Sequence, residues 1–378
     1  MKNMKMNKWT MGLAAAGVVT LSSVAQAQDA AAGAEAVAAS TTLSGYVSTG
    51  YKFNNGGVNA GYFRAGEDRN AFSLDVVDLK LSSAQGDGAM DTGYTVELWM
   101  GPAATDIGTG DSGAGTSTVE LMQANIDLRI SGIDLKIGQF GTVVGNEVYN
   151  YNENAFYTHS WGFAIEPTHH TGILASYTVS DDLQIGVGLA NSTSASINAK
   201  GVGSSKTWLA TVSYTLPSGT GALAGTELYY GLVSGDASGA SGDNDEYHYA
   251  SVALPELVAN LTTKVVWDHV EHAGLAKDSN VVGLYLGYSL NDTTTLNVRY
   301  EAGNLNNVAA VSNNTGTVST LGTGNADNLQ SWTIGLNHKI WENVISRIEY
   351  RHDEVDNTSG DTSDNQQDVI ALNLIYTF

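Results

Sequence analysis

The C-terminal segment constrains the fold most strongly, because apolar and polar residues alternate in it up to the last residue. In the final eleven residues, "DVIALNLIYTF", one parity carries Ile370, Leu372, Leu374, Tyr376 and Phe378. A repeat of two residues is that of a β-strand with one apolar face and does not fit a helix. Terminal residues usually fray unless another segment holds them. The segment is therefore predicted to be a paired strand.

The N-terminal segment has the three parts of a secretory signal peptide. Three lysines precede an apolar run at 11–21, and the small residues of a cleavage site follow at 25–27. The run is too short to cross ~30 Å of hydrocarbon as a helix. We expect 1–27 to be a cleaved signal peptide and the Ala-rich stretch 28–40 to be a flexible N-terminal segment.

Composition excludes several classes of protein. The chain has no cysteine, so it has no disulfide framework and no thiolate metal site. After the signal no uncharged apolar stretch reaches 18 residues, so a membrane could be crossed only by strands. The formal charge is -22 with the signal's three lysines included, and such an acidic chain would repel nucleic acid.

Alternating segments recur along the whole chain from Thr41 and are joined by tight turns and long loops in turn. This pattern predicts an all-β protein, a transmembrane antiparallel up-and-down β-barrel over 41–378. Sixteen strands are predicted, with fourteen as the alternative because 71–82 and 246–254 alternate poorly. The predicted strands are 41–53, 71–82, 91–100, 119–130, 133–141, 171–179, 182–191, 205–215, 224–233, 246–254, 259–270, 280–289, 293–303, 329–339, 343–353 and 367–378.

Aromatic residues distinguish a membrane barrel from a soluble sandwich. On the parity predicted to face outward they occupy both ends of the strands, as expected for rings in two headgroup layers. At the long-loop end these are Tyr51, Trp208, Trp267, Tyr300, Trp332 and Tyr350, and at the short-turn end Tyr177, Tyr214, Tyr288, Tyr376 and Phe378.

Two resemblances sharpen this interpretation. Tyr376 and Phe378 resemble the C-terminal signature by which the barrel-assembly machinery recognises outer-membrane barrels. "IDLKIGQFGTVVGNEV" and "HSWGFAIEPTHHTGILASYTVSDDLQIGVGLAN", within residues 133–191, resemble the OmpL-like β-barrel porin family. The resemblance implies a porin-like fold in the bacterial outer membrane and carries no defined site residues.

The late strands carry charged residues on the parity predicted to face inward. A lysine or arginine facing lipid at mid-depth would cost about 2 to 4 kcal/mol, so these side chains should line a water-filled lumen. Sixteen strands leave room for such a channel. The alternative is a salt-bridged wall without useful conductance. The predicted pore-lining residues are Lys264, Asp268, Arg299, Glu301, Arg347, Glu349 and Arg351.

The longest loop, 142–170, is the third on its rim and is rich in aromatic residues. So many rings should pack against a surface, and the inner wall of the barrel is nearest. The loop is the candidate constriction, with Glu147, Glu153 and Glu166 expected across the lumen from basic wall residues, where they would set up a transverse field. The alternative is a loop that folds outward.

The sequence therefore predicts a porin for passive diffusion of small hydrophilic solutes, in contact with outer-membrane lipid. The alternative is a structural or adhesive barrel that acts through its surface loops. No catalytic, cofactor or metal site is predicted. The weak metal patterns are the spacing of His269 and His272 and the Asp-rich tips at 242–246 and 356–364, which are more often simply solvated. A homotrimer is expected only by analogy with porins.

Overall fold

The computed structural model describes residues 19–20, 41–54, 70–107, 109, 118–201, 204–236, 244–271, 278–305, 326–357 and 365–378. The predicted signal peptide and Ala-rich segment otherwise lie outside the described residues. A two-residue strand, Val19–Thr20, pairs with Thr42 and Leu43.

Sixteen antiparallel strands form one closed barrel, and each pairs with its neighbour in the sequence. The prediction of sixteen strands is confirmed. They are β1 (Thr42–Asn54), β2 (Ala71–Ser83), β3 (Met90–Met100), β4 (Val119–Ile130), β5 (Ile133–Gly141), β6 (His169–Ser180), β7 (Leu183–Ala190), β8 (Thr207–Thr215), β9 (Glu227–Gly235), β10 (Asp245–Leu254), β11 (Leu261–Glu271), β12 (Ser279–Asn291), β13 (Thr294–Leu305), β14 (Ala326–Trp341), β15 (Val344–Asn357) and β16 (Asn365–Thr377).

The C-terminal strand closes the barrel. Strand β16 pairs with β1 from Val369 opposite Asn54 to Thr377 opposite Tyr46. Beyond that ladder, the Phe378 N–H donates to the Gly45 carbonyl at 3.0 Å and the Gly45 N–H donates to the Phe378 carbonyl at 3.0 Å. Closure leaves no free edge, which is the condition for a sheet to lie in lipid.

The two segments that alternate poorly, 71–82 and 246–254, are nevertheless strands β2 and β10, and the structure explains why their alternation is weak. In β2 the pairing with β1 shifts, so that Thr49 lies opposite Leu74 and Ser48 opposite Val76. This bulge leaves Asp75 out of step with the repeat of two. In β10 the buried parity carries Asp245, Tyr247, Tyr249 and Ser251, while the opposite parity begins with the polar residues Glu246 and His248, so the two faces do not separate into apolar and polar.

Short turns lie on one rim and long loops on the other. Short helices interrupt the connections: α1 (Pro102–Ile107), α2 (Trp161–Ala164) and a 3₁₀ helix at Ser218–Leu223. None of the helices in the described ranges is long and apolar enough to span a membrane.

The outer face of the barrel is apolar and carries aromatic rings at both ends. Trp208 and Trp332 are exposed at the long-loop end, and Tyr177 and Tyr376 at the short-turn end. The opposite parity is buried inside the barrel, so the predicted facing of the strands holds along the wall.

Candidate functional site

The predicted pore-lining charges lie on the inner face, where the loop between β5 and β6 covers them. Arg299 and Arg351 are 0% exposed, and Glu301, Arg347 and Glu349 are also buried. Instead of facing open water, these side chains contact residues 142–168 of the loop. The predicted pore-lining residues of the wall and the predicted constriction loop are therefore in contact with each other.

The wall arginines donate hydrogen bonds to backbone carbonyls of the loop, which is not part of the sheet ladder. Arg347 donates from its two terminal nitrogens to the carbonyls of Tyr151 and Asn154, each at 2.7 Å. Arg351 donates to the His159 carbonyl. A guanidinium offers five N–H donors in a fixed plane, so one side chain can hold a bend of irregular backbone.

The wall carboxylates bind loop N–H groups in the complementary way. Glu349 accepts from the Tyr157 N–H at 2.7 Å. Glu301 accepts from the N–H groups of Trp161 at 2.7 Å and Gly162 at 3.2 Å, the first two residues of α2. Charge-assisted bonds of this kind are stronger than neutral ones, so inward charges replace the backbone pairing that the loop lacks.

Glu147 is bound directly to the wall. Its carboxylate is 2.7 Å from Arg299 Nη1 and accepts from the Ser160 N–H at 2.7 Å. Arg299 Nε is also 3.2 Å from Glu301. The transverse field expected between separated charges is thus replaced here by a buried ion pair, because the loop backbone lies against β13.

Glu166 lies beside an acidic wall residue. Its carboxyl forms a hydrogen bond with that of Asp268, and Lys264 is near enough to interact electrostatically. Burial, and then the neighbouring Asp268, raise the pKa of Glu166 well above its usual range. Two carboxyls at hydrogen-bond distance hold a proton between them, and the raised pKa of Glu166 favours its protonated form as the donor.

Glu153 lies near the wall formed by the early strands. Its side chain is exposed within the barrel, where Lys80 and Glu97 are its charged neighbours. Desolvation by the surrounding barrel raises the pKa of Glu153, and Lys80 opposes that shift. This carboxylate is the loop acid that meets open lumen.

The early strands supply a second set of contacts that sequence reasoning missed. Tyr157 donates its hydroxyl to Asp75 at 2.7 Å, and Tyr149 donates to Glu97 at 3.0 Å. Both acids are fully buried. The inward parity of Glu97 was a signal from which its place on the inner wall could have been predicted. The bulge in β2 breaks the repeat of two at Asp75, so the sequence pattern did not indicate that Asp75 faces inward.

Aromatic packing completes the attachment of the loop. The Trp99 ring lies 5.3 Å from that of Tyr149 and 6.0 Å from that of Tyr151. The guanidinium of Arg299 lies over the Phe156 ring at 4.7 Å. The rings therefore bury against the inner wall, as their number in the loop predicted.

A cavity of ≈ 500 Å³ remains beside the loop. Its lining includes the loop base, Glu153, Glu166 and the wall residues Tyr229 and Lys264. Tyr229 reaches across to donate to the Val143 carbonyl at 2.6 Å. The lining mixes hydroxyl, carboxyl and ammonium groups, so water occupies it readily.

A closed sixteen-stranded barrel with an apolar belt and a loop bound inside it defines the class of outer-membrane porins. Solved structures of this class share the fold. The anion-selective porin from Comamonas acidovorans matches at a TM-score of 0.60 and 12% identity, covering 90% of this chain and 99% of that one.

Two further structures match over similar lengths. OmpF of Salmonella typhi in complex with daunomycin gives a TM-score of 0.62 at 13% identity, covering 89% of this chain and 97% of that one. The trimer form of OmpT from Vibrio cholerae gives 0.57 at 10% identity, covering 89% and 99%. No curated protein sequence matches the chain.

Residues 40–378 match the family described as "Putative beta-barrel porin-2, OmpL-like". The chain belongs to this family and is an outer-membrane porin of the bacterial cell. The resemblance seen in residues 133–191 is thereby confirmed and extends over the whole barrel.

Proposed function

We propose that the protein passes small hydrophilic solutes by passive diffusion, without catalysis, and that residues 142–168 form the constriction. The observation that carries this proposal is the set of hydrogen bonds from Arg347, Arg351, Glu301 and Glu349 to the loop backbone. These bonds hold the loop against β13 and β15 and leave the passage on its other side.

The cavity beside the loop gives the passage its chemical character. At the ~30 Å³ that each water molecule occupies in the liquid, ≈ 500 Å³ holds roughly 15 waters. Glu153 and Lys264 give the cavity both signs of charge. These charged groups favour ions and polar molecules in the passage.

A second part of the proposal concerns export and assembly. We infer that residues 1–27 are removed on export, that Tyr376 and Phe378 are read by the barrel-assembly machinery, and that the barrel contacts outer-membrane lipid. The trimer form of the Vibrio cholerae neighbour supports a homotrimer for this chain as well.

Planar-bilayer conductance of the purified protein tests the proposal. Gly231 on β9 faces the loop base, and a Cβ placed there would overlap the Val143 carbonyl oxygen. Gly231→Ala should displace the loop base and change single-channel conductance, and deletion of 149–157 should raise it. Gly141→Ala is the matched control, because a Cβ at Gly141 meets no atom within 4 Å.

Two results would contradict the proposal. A wild-type protein that inserts but does not conduct would rule out a channel. Deletion of 149–157 with unchanged conductance would show that the loop does not limit the passage.

A further inference from the structure

A cluster of metal-ligating side chains lies on the outer face of the barrel, away from the lumen. His269 and Glu271 are at the long-loop end of β11, and Asp278 directly precedes β12. One ligand atom from each of these three residues lies within 4.8 Å of the others. His272, from the pattern seen in the sequence, lies outside the described residues.

The position of His269 is fixed by its neighbours. Its ring stacks on the Trp267 ring at 5.4 Å and an interplanar angle of 14°. Its Nδ1 lies 2.8 Å from Asn280 Oδ1, on the residue paired with it in β12. With the amide oxygen of Asn280 facing the ring, Nδ1 carries the proton and, in the neutral ring, the lone pair is on Nε2.

That lone pair points at another acceptor. Nε2 of His269 is 3.2 Å from Glu271 Oε1. With no proton between them the two atoms repel, unless the ring is an imidazolium or a cation sits between them. A tetrahedral ion ~2.0–2.1 Å from both atoms would hold them about 3.3 Å apart, which matches the separation found.

The neighbouring strand adds to the negative charge. Glu246 of β10 lies directly opposite Glu271 in the register. Its carboxylate accepts from Ser234 Oγ at 3.0 Å and lies 3.5 Å from His248 Nε2, so it adds negative charge near the cluster without being one of its ligands.

The geometry points to a binding site for one divalent transition metal of the zinc class, held by His269, Glu271 and Asp278. One imidazole and two carboxylates form a set of three ligands that leaves the fourth tetrahedral position to water. Asn280 is a positioning residue, since it fixes the tautomer and orientation of the ligating ring. The site ties the ends of β11 and β12 together on the outside of the barrel.

The site is tested with the full chain, purified in detergent, stripped with EDTA and titrated with ZnCl2 by isothermal calorimetry at pH 7.5. We expect about one zinc per chain in this site. His269→Ala should weaken binding by more than roughly 100-fold, and Asn280→Ala by about 10- to 100-fold, as for other outer-shell partners of a metal-bound histidine. His338→Ala, an outward histidine on β14, is the matched control and should leave the affinity unchanged.

Two further measurements keep the outcome decisive. Heat-modified gel migration identifies any variant that has lost its fold, and zinc X-ray absorption of the wild type should show one nitrogen neighbour at ~2.0–2.1 Å. The proposal is overturned if wild type and His269→Ala bind zinc equally. It is also overturned if the wild type binds none, which would leave the His269–Glu271 contact as an imidazolium ion pair.

Discussion

At the scale of single residues, the charged side chains on the inner wall form hydrogen bonds mainly with the backbone of the loop between β5 and β6. Arg347 binds two loop carbonyls, and Glu301 binds two loop N–H groups. A buried ion that loses its partner is costly, at about 3–5 kcal/mol. These residues therefore support the backbone of the loop between β5 and β6.

Glu166 should make the attachment of the loop sensitive to pH. Its folded-state pKa is raised above the unfolded value, so its contribution to stability is full at low pH and declines as pH rises toward the folded pKa. Ionisation beside Asp268 should loosen the loop, so single-channel recordings should show more conductance fluctuation at alkaline pH.

Glu166→Gln should remove that pH dependence, because an amide donates to Asp268 at every pH. Glu153→Gln is the control, since its side chain is exposed in the lumen and lies beside Lys80. Fluctuations that rise equally with pH in the wild type and in Glu166→Gln would show that another group titrates.

At the scale of elements, the C-terminal strand has a structural role that its pattern alone does not reveal. Phe378 makes two backbone hydrogen bonds to Gly45, and its ring lies beside the point where a Gly45 Cβ would project. Thr377 also donates to the Asn343 carbonyl at 2.9 Å. The last residues thus join β16 to both the first strand and the preceding turn.

Deletion of Phe378 should therefore reduce outer-membrane insertion severely and leave export intact. The chain would lose the terminal hydrogen bonds of the closing ladder together with the aromatic that resembles an assembly signal. Fractionation and heat-modified gel migration measure folded protein in the outer membrane. Phe378→Tyr, which keeps the ring and backbone, is the control, and normal levels of the deletion variant would refute the assembly role.

At the scale of the whole molecule, two sources of charge act on a permeating ion. The formal charge of -22 attracts cations to the mouth, but exposed charges farther than ~8 Å are screened at physiological ionic strength. Groups beside the passage decide selectivity. Glu147 is neutralised by Arg299, whereas Glu153 is exposed in the lumen.

We therefore expect a modest cation preference in the wild type that weakens at high salt. Arg299→Ala should strengthen it, because Glu147 and Glu301 lose their counter-ion. The reversal potential under a KCl gradient measures this. Arg129→Ala, which removes a cation paired with Asp134 near the short-turn rim, should have a smaller effect. An anion-selective wild type, or one indifferent to Arg299, would place these side chains away from the narrow part of the passage.

The barrel could be predicted from the sequence, since a repeat of two indicates which face of the sheet each side chain takes and turn residues indicate where strands end. The sequence therefore predicted the strand number, the inward parity of Arg299 and the pairing of the last strand. Three contacts became visible only in the folded chain: the ion pair of Glu147 with Arg299, the hydrogen bond between Glu166 and Asp268, and the hydrogen bond from Tyr157 to Asp75. These contacts join residues far apart in the chain through an irregular loop. Because the loop has no periodic pattern, the sequence does not indicate which way its side chains point. The grouping of His269 with Asp278 has the same origin, because it depends on where two strand ends meet across a loop.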